Sequence, residues 1–234
     1  MDIQPIQTRV FKEGEDLSAF IFEYISEMKE KSILVVTSKI VALAEGRTVP
    51  LGSEADKEKI IRCESEFALR TEHTWLTIKD GAVMASAGID ESNADGKLVL
   101  LPRDSFAAAE KIRTDVQTRF GLKEVGVIIT DSRIVPLRAG IVGVALGYAG
   151  FRGVKDYRGT KDIFGRILQM SQVDVADSLA TAAVLTMGEG NEQQPLSIIE
   201  DVPIDFCDVV DRDELHISIQ DDMYRPLFEH IRET

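Results

Sequence analysis

The sequence predicts a mixed α/β protein of the α+β kind, and three observations carry that prediction. Ser32–Thr37 and residues 125–130 are continuous apolar runs of the length and composition of buried strands. Residues 173–187 carry apolar side chains at helical spacing. Asp80-Gly81, between two strand-like segments, is a two-residue hairpin signal and calls for antiparallel pairing.

Taken in order, Ile6, Thr8 and Val10 alternate with polar neighbours as in a half-buried strand, and Asp16 is placed to cap a helix carrying Leu17, Phe20, Ile21, Tyr24, Ile25 and Met28. Ser32–Thr37 then runs as a strand into Ser38-Lys39, and residues 54–66 form a charged, exposed helix. Trp75–Lys79 and residues 82–86 are the arms of the hairpin. Residues 97–101 read as another strand. Asp104 or Ser105 caps a helix through Phe120, which Gly121 is suited to end in a left-handed conformation. After the strand at 125–130, the glycine-rich apolar stretch 141–150 implies a backbone packed closely on another element or a ligand. The helical run to Met187 stops at Gly188, and residues 196–199 form a further strand. An acidic stretch at 208–214 and an amphipathic helix near 223–231 complete the reading. No linker, low-complexity tract or repeat divides the chain, so residues 1–234 are expected to form a single domain.

Composition narrows the function classes. Acidic residues outnumber basic ones by 40 to 27, a net charge of −13, and such a field repels nucleic acid and anionic membranes. The apolar runs are far shorter than the roughly 20 residues that span a bilayer. The first residues lack the pattern of a secretory signal, so the expected location is cytoplasmic. Cys63 and Cys207 form no CxxC pair and are expected to be inert thiols. The histidines, His73, His216 and His230, are scattered along the chain, so carboxylates are the better candidates for chemistry.

Asp131-Ser132 follows the apolar strand directly, which places an acid and a hydroxyl at the strand's C-terminal mouth, where α/β architectures hold ligands; a turn-capping Asp fits the segment equally well. Asp90 and Asn93 lie in a second polar loop, where they either chelate a cation or make an Asx turn. Glu189 lies in a third, between glycines just beyond a helix. Asp90, Asp131 and Glu189, with Ser132, are hard oxygen donors of the type magnesium and manganese prefer. Two carboxylates about 4 Å apart repel by roughly 4 kcal/mol at an effective dielectric near 20, so convergent acids require a cation. Two such ions would bridge nucleotide phosphates during phosphoryl transfer. Arg138, Lys155, Arg158, Lys161 and Arg166 make a basic region that either holds an anion or is a solvated surface.

Several of these residues fall in ordered motifs. They are Ile33-Leu-Val-Val-Thr-Ser-Lys-Ile-Val41 with Ala44-Glu-Gly-Arg47, Ala87-Gly-Ile-Asp-Glu-Ser-Asn93, Val127-Ile-Ile-Thr-Asp-Ser132, Arg138-Ala-Gly140, Asp156-Tyr-Arg-Gly159, Asp162 with Gly165-Arg166, Val175-Ala-Asp177 and Met187-Gly-Glu-Gly190. Over about residues 30–200 the sequence resembles the CofE-like gamma-glutamyl ligases of the deazaflavin coenzyme F-420. The resemblance implies a GTP-dependent ligase (ATP being the other nucleotide considered) with two divalent cations, magnesium or manganese. In such an enzyme an acceptor carboxylate is phosphorylated and the acyl phosphate is attacked by the amine of L-glutamate. It also implies an intertwined homodimer with antiparallel sheets. Carried over by position, Asp90, Asp131, Ser132 and Glu189 are the metal ligands. Ser38, Lys39, Asn93, Met187, Gly188, Gly190 and Asn191 are the nucleotide contacts, and Asp131 and Arg138 are the catalytic residues. The acceptor is a deazaflavin precursor or a folate-like pterin.

The sequence also departs from the family pattern. A Gly-Leu-Pro loop near the N-terminus is replaced by residues 7–14, a Ser-Lys pair by Ala42-Leu43, and a Gly-Arg pair by Ile134-Val135. Leucine and valine cannot make the lost charge-assisted hydrogen bonds. The competing expectation is therefore a non-catalytic nucleotide- or small-molecule-binding homodimer that keeps the fold.

Overall fold

The computed structural model describes residues 1–228. The chain starts with β1 (Asp2–Ile6), α1 (Leu17–Tyr24), β2 (Ser32–Thr37) and α2 (Ser38–Ala44). Next come β3 (Thr48–Pro50), α3 (Glu54–Cys63), β4 (Phe67–Arg70), β5 (Trp75–Lys79), β6 (Ala82–Ala85) and β7 (Lys97–Val99). The remainder is α4 (Ser105–Phe120), β8 (Val125–Ile134), β9 (Ile141–Ala149), β10 (Val154–Asp156), β11 (Gln172–Asp174), α5 (Val175–Met187), β12 (Leu196–Glu200) and α6 (Arg225–Phe228). This is the mixed α/β content expected. Two compact units result, one made of Met1–Gly46 and Pro102–Glu214, the other of Arg47–Leu101 and the described residues from Leu215 onward.

The first unit is organised by a five-stranded sheet of order β1-β12-β2-β8-β9. Only β2 and β8 run parallel; the other pairs in this sheet are antiparallel. The continuous apolar character of β2 and β8 has a direct cause, since both faces of these central strands are covered. Leu34, Val36, Val127 and Ile129 join a core with Phe20 and Ile21 of α1, Ile40 and Val41 of α2, and Ala109, Ile112 and Val116 of α4. Ile33, Val35 and Ile128, which alternate with them, are equally buried. They belong to the opposite face, against which α5 lays Ala176, Leu179, Ala180 and Ala183.

Local chemistry sets the element ends. Asp16 accepts the Ala19 N–H, Asp104 the Ala107 N–H and Asp174 the Asp177 N–H, each capping its helix. Gly121 ends α4 at φ 70°. The first strand stops at Ile6, short of the expected alternation through Val10, because its partner β12 begins at Leu196, opposite Ile6. Thr8 is nevertheless buried, while Val10 is exposed. Ile25 caps α1 and Met28 lies beyond it, although both are buried as expected of that face.

The second unit holds the three-stranded antiparallel sheet β4-β5-β6, the β3-β7 pair and α3 around Ile61, Trp75, Ala87, Ile89, Leu98 and Leu100. The Asp80-Gly81 hairpin is present as expected: Lys79 pairs with Ala82, and the two turn residues take φ of 50° and 69°. Ser53 and Asp56 form a capping box at the start of α3. Half-buried Arg47 donates to the Leu101 carbonyl at 3.0 Å and to Glu64 at 2.7 Å, and Lys79 reaches the same carboxylate at 3.3 Å.

Cys63 and Cys207 are free thiols, and burial pushes the Cys207 thiol upward. No described helix is long and apolar enough to cross a membrane. Of the amphipathic helix expected near 223–231, one turn is present as α6; residues 229–231, with His230, lie outside the described residues. His73 and His216 are exposed.

Candidate active site

The parallel pairing of β2 with β8 sets the register Thr37 opposite Thr130, so the residues that follow, Ser38 and Asp131, emerge side by side. The Ser38 hydroxyl donates to Asp131 Oδ1 at 3.1 Å. Asp131 does not lie in a loop at the strand mouth, as the sequence suggested. Strand β8 continues to Ile134 because the antiparallel partner β9 keeps pairing with it as far as Ile141. The parallel partner β2 has ended by then, so Asp131 still stands at the C-terminal end of the parallel pair.

Strand alternation sends Asp131 and Ser132 to opposite faces of the sheet. On one face, Asp131 meets Ser38, and Arg133, two residues on, brings its buried guanidinium within 3.8 Å of Asp131 Oδ2. On the other face, Ser132 donates to Glu189 Oε1 at 2.5 Å. Glu189 reaches this point because α5 packs along β9 and ends at Met187, just before it. Arg133 escaped the sequence reading; its signal is the i, i+2 spacing from Asp131 within a strand.

The loop from Gly188 to Pro195 returns to the same end of the sheet. It enters β12, whose first residue Leu196 pairs with Val36, and Pro195 accepts the Thr37 N–H at 3.0 Å. Within the loop, Glu192 accepts the Gly190 N–H at 2.8 Å and lies where a side chain at Gly188 would be. Met187 is buried, whereas Gly188, Gly190 and Asn191 are exposed. Ser38 opens α2, with Lys39 half-buried behind it. Ser38, Asp131, Ser132, Glu189 and the 187–191 loop are thus gathered at one end of one sheet.

The other expected site residues are Arg138, Asp90 and Asn93. Arg138 is exposed at the β8–β9 turn, bonded through its backbone to the Val135 carbonyl, and makes no ion pair with Asp131 among the described residues. Asp90 and Asn93 belong to the second unit. There, Asp90 accepts the Ser92 N–H at 2.7 Å and the Ser92 hydroxyl at 2.9 Å, an Asx turn, while its backbone bridges to Val99. Asn93 sits in the same exposed turn at φ 51°.

Among the described residues no three His, Cys, Asp or Glu side chains gather into a metal-holding group. The first unit offers instead a hydroxyl–carboxylate pair on each face. All of these donors are oxygens, the chemistry that suits a hard divalent cation.

A family model described as F420-0:Gamma-glutamyl ligase matches residues 5–201. The chain belongs to this family. Within the F420-0:gamma-glutamyl ligase family, the chain is 33% identical to the Coenzyme F420:L-glutamate ligase of Methanococcus maripaludis (strain C7), a match covering 96% of this chain and 97% of the relative. It is 36% identical to the enzyme of that name from Methanothermobacter thermautotrophicus, with 81% and 84% covered. The Archaeoglobus fulgidus enzyme of the same name is 33% identical, with 92% of each chain covered. These relatives carry the names of amide-forming ligases, and this chain is an enzyme of that class.

The departures from the family pattern have structural counterparts. Ala42 is fully buried in α2 and Leu43 packs on the core around α1 and β2, so both serve packing. Ile134 and Val135 are exposed at the β8–β9 turn.

Proposed function

We propose that this protein is a gamma-glutamyl ligase that uses GTP or ATP to activate an acceptor carboxylate and joins it to the amine of L-glutamate. The observation that carries the reading is the pair Ser132–Glu189 beside the pair Ser38–Asp131 at the end of β2 and β8, in a chain of the ligase family. On the resemblance, Asp131 on one face of the sheet, and Ser132 with Glu189 on the other, would hold magnesium or manganese. When bound, such an ion neutralises phosphate charge and polarises the transferring phosphoryl group.

The protein's own groups do the rest. Ser38 and Arg133 approach opposite oxygens of Asp131 and hold its carboxylate in one orientation. The 188–191 loop lies at the same sheet end, and its role as a nucleotide contact rests on the resemblance. Acyl phosphate formation followed by amine attack conserves the γ-phosphoryl group as inorganic phosphate and leaves a new amide. The acceptor in this proposal is an anionic deazaflavin precursor, with a folate-like pterin as the alternative. Asp90 and Asn93, in the second unit, remain candidates on the resemblance alone.

A homodimer is part of the same proposal. The β10–β11 ribbon exposes Ile163, Phe164 and Met170 at 91, 89 and 87%, and the β8–β9 turn exposes Ile134 and Leu137. Apolar side chains this exposed on two projecting segments are suited to burial against a second copy. Sedimentation equilibrium at micromolar protein is expected to give twice the chain mass; a monomer would remove this part.

The central test is calorimetric titration of manganese with GTP, and in parallel ATP, into the wild-type protein and Asp131→Ala. Saturable binding that disappears in the variant supports the reading, and mass spectrometry then seeks the glutamylated acceptor. Failure of both nucleotides to bind in the presence of metal overturns it.

A further inference from the structure

Strand β9 carries one extra residue opposite β8. Ile129 faces Gly147 while Thr130 faces Ala145, so Leu146 is left over as a bulge. The consequence is visible in the packing of β9. Gly147 lies against the start of α4, where an added Cβ would meet the Ser105 backbone at 2.4 Å. Gly143 lies against α5 on the other face, where an added Cβ would meet the Ala180 carbonyl at 2.5 Å. Residues four apart on a regular strand share a face; the bulge is what turns Gly143 to α5.

Asp177, in the first turn of α5, meets β9 at this bulge. Its Oδ1 accepts the Ala145 N–H at 2.8 Å, and one turn further along the helix the Thr181 hydroxyl donates to the Gly143 carbonyl at 2.6 Å. From β8, the Thr130 hydroxyl donates to the Val144 carbonyl at 3.0 Å. Side chains from α5 and β8 therefore hold three consecutive residues of β9 directly across from Thr130, Asp131 and Ser132. The other end of α5 lies about 15 Å away, ten residues at 1.5 Å each. Beyond that end, Glu189 reaches Ser132.

We propose that Asp177 is a positioning residue for the reaction: by fastening the start of α5 to the β9 bulge, it sets where α5 ends and so holds Glu189 against Ser132. An acid in the first turn of a helix also interacts favourably with the helix dipole, and that alone would account for an aspartate here. The two roles differ chemically. The dipole needs a negative charge, whereas the bulge needs only an acceptor oxygen, which asparagine keeps. The proposal rests on Ser132 and Glu189 belonging to the active site.

The experiment compares the full-length wild-type chain with Asp177→Asn and Asp177→Ala. Manganese binding is followed by electron paramagnetic resonance, and amide hydrogen exchange is read at Ala145 and Ser132. Asp177→Ala is expected to bind manganese about tenfold more weakly, the usual order for loss of a residue supporting a ligand, and to exchange faster at both amides. Asp177→Asn is expected to restore both properties. Equal loss in Asp177→Asn and Asp177→Ala would overturn the proposal in favour of a charge effect at the helix start, and unchanged exchange at Ser132 in Asp177→Ala would overturn it outright. If the wild type binds no manganese, the metal reading fails separately, and exchange at Ser132 still decides the role of Asp177.

Discussion

The Ser38 hydroxyl donates to the Asp131 carboxylate at 3.1 Å, joining residues 93 positions apart. The parallel register of β2 and β8 alone brings them together. If Asp131 works at the active site, Ser38 holds one of its oxygens in place. Ser38→Ala removes a hydrogen bond to a charged acceptor, of the order of 1.5–3 kcal/mol. Ligation is expected to fall about tenfold or more, and the melting temperature by several degrees. Steady-state kinetics beside thermal unfolding checks this, and full activity would detach Ser38 from the site.

Asp131→Asn keeps the size and the acceptor for Ser38 and removes the charge. Amide formation is expected to drop by orders of magnitude, while the circular dichroism spectrum matches the wild type. A variant that ligates at the wild-type rate would remove Asp131 from the chemistry.

Gly143→Ala is expected to destabilise the first unit. The new methyl group would need the space of the Ala180 carbonyl, and overpacking of this kind typically costs about 1–3 kcal/mol. Because α5 must shift, Glu189 leaves Ser132 and ligation falls as well. Urea unfolding with parallel activity measurements tests both; a variant of unchanged stability and rate would show that α5 and β9 yield easily here.

Glu64 provides a pH signature for the second unit. Burial works against its charge, yet the ion pairs with Arg47 and Lys79 outweigh burial and hold the carboxyl below its ordinary value of 4.5. A depressed folded value means that the stabilisation is complete above 4.5 and is lost as the pH falls through the folded value. Glu64→Ala leaves two half-buried cations without their partner, at a cost of about 1.5 kcal/mol near neutral pH. The gap between wild type and variant is expected to close in acid. A gap independent of pH would show that packing, and not charge, is what Glu64 contributes.

Much of the fold was legible because its signals are local. Asp16 and Asp104 cap their helices, Gly121 takes the left-handed conformation that ends α4, and Asp80-Gly81 turns a hairpin, each through groups within a few residues. Candidate site residues were legible only as residue types in polar loops. That Ser38 touches Asp131, and that Arg133 approaches it from the other side, depends on strand pairing and on alternation past the expected strand end. The overextended first strand had the same origin: alternation persists in residues 6–10, but the partner strand does not.

By itself, the sequence determined the longer helices and the central strands, that β2 and β8 are buried on both faces, and, through its ordered motifs, the ligase family. These follow from hydrophobic periodicity, capping and short-range backbone preference, which act over a few residues. Only the tertiary structure decided that β8 runs on through Asp131 and Ser132, that these neighbours face opposite sides of the sheet, and that a bulge turns Gly143 toward α5. The reason is physical: strand ends, register and bulges are fixed by which backbone groups find partners across the sheet, and those partners are distant in sequence.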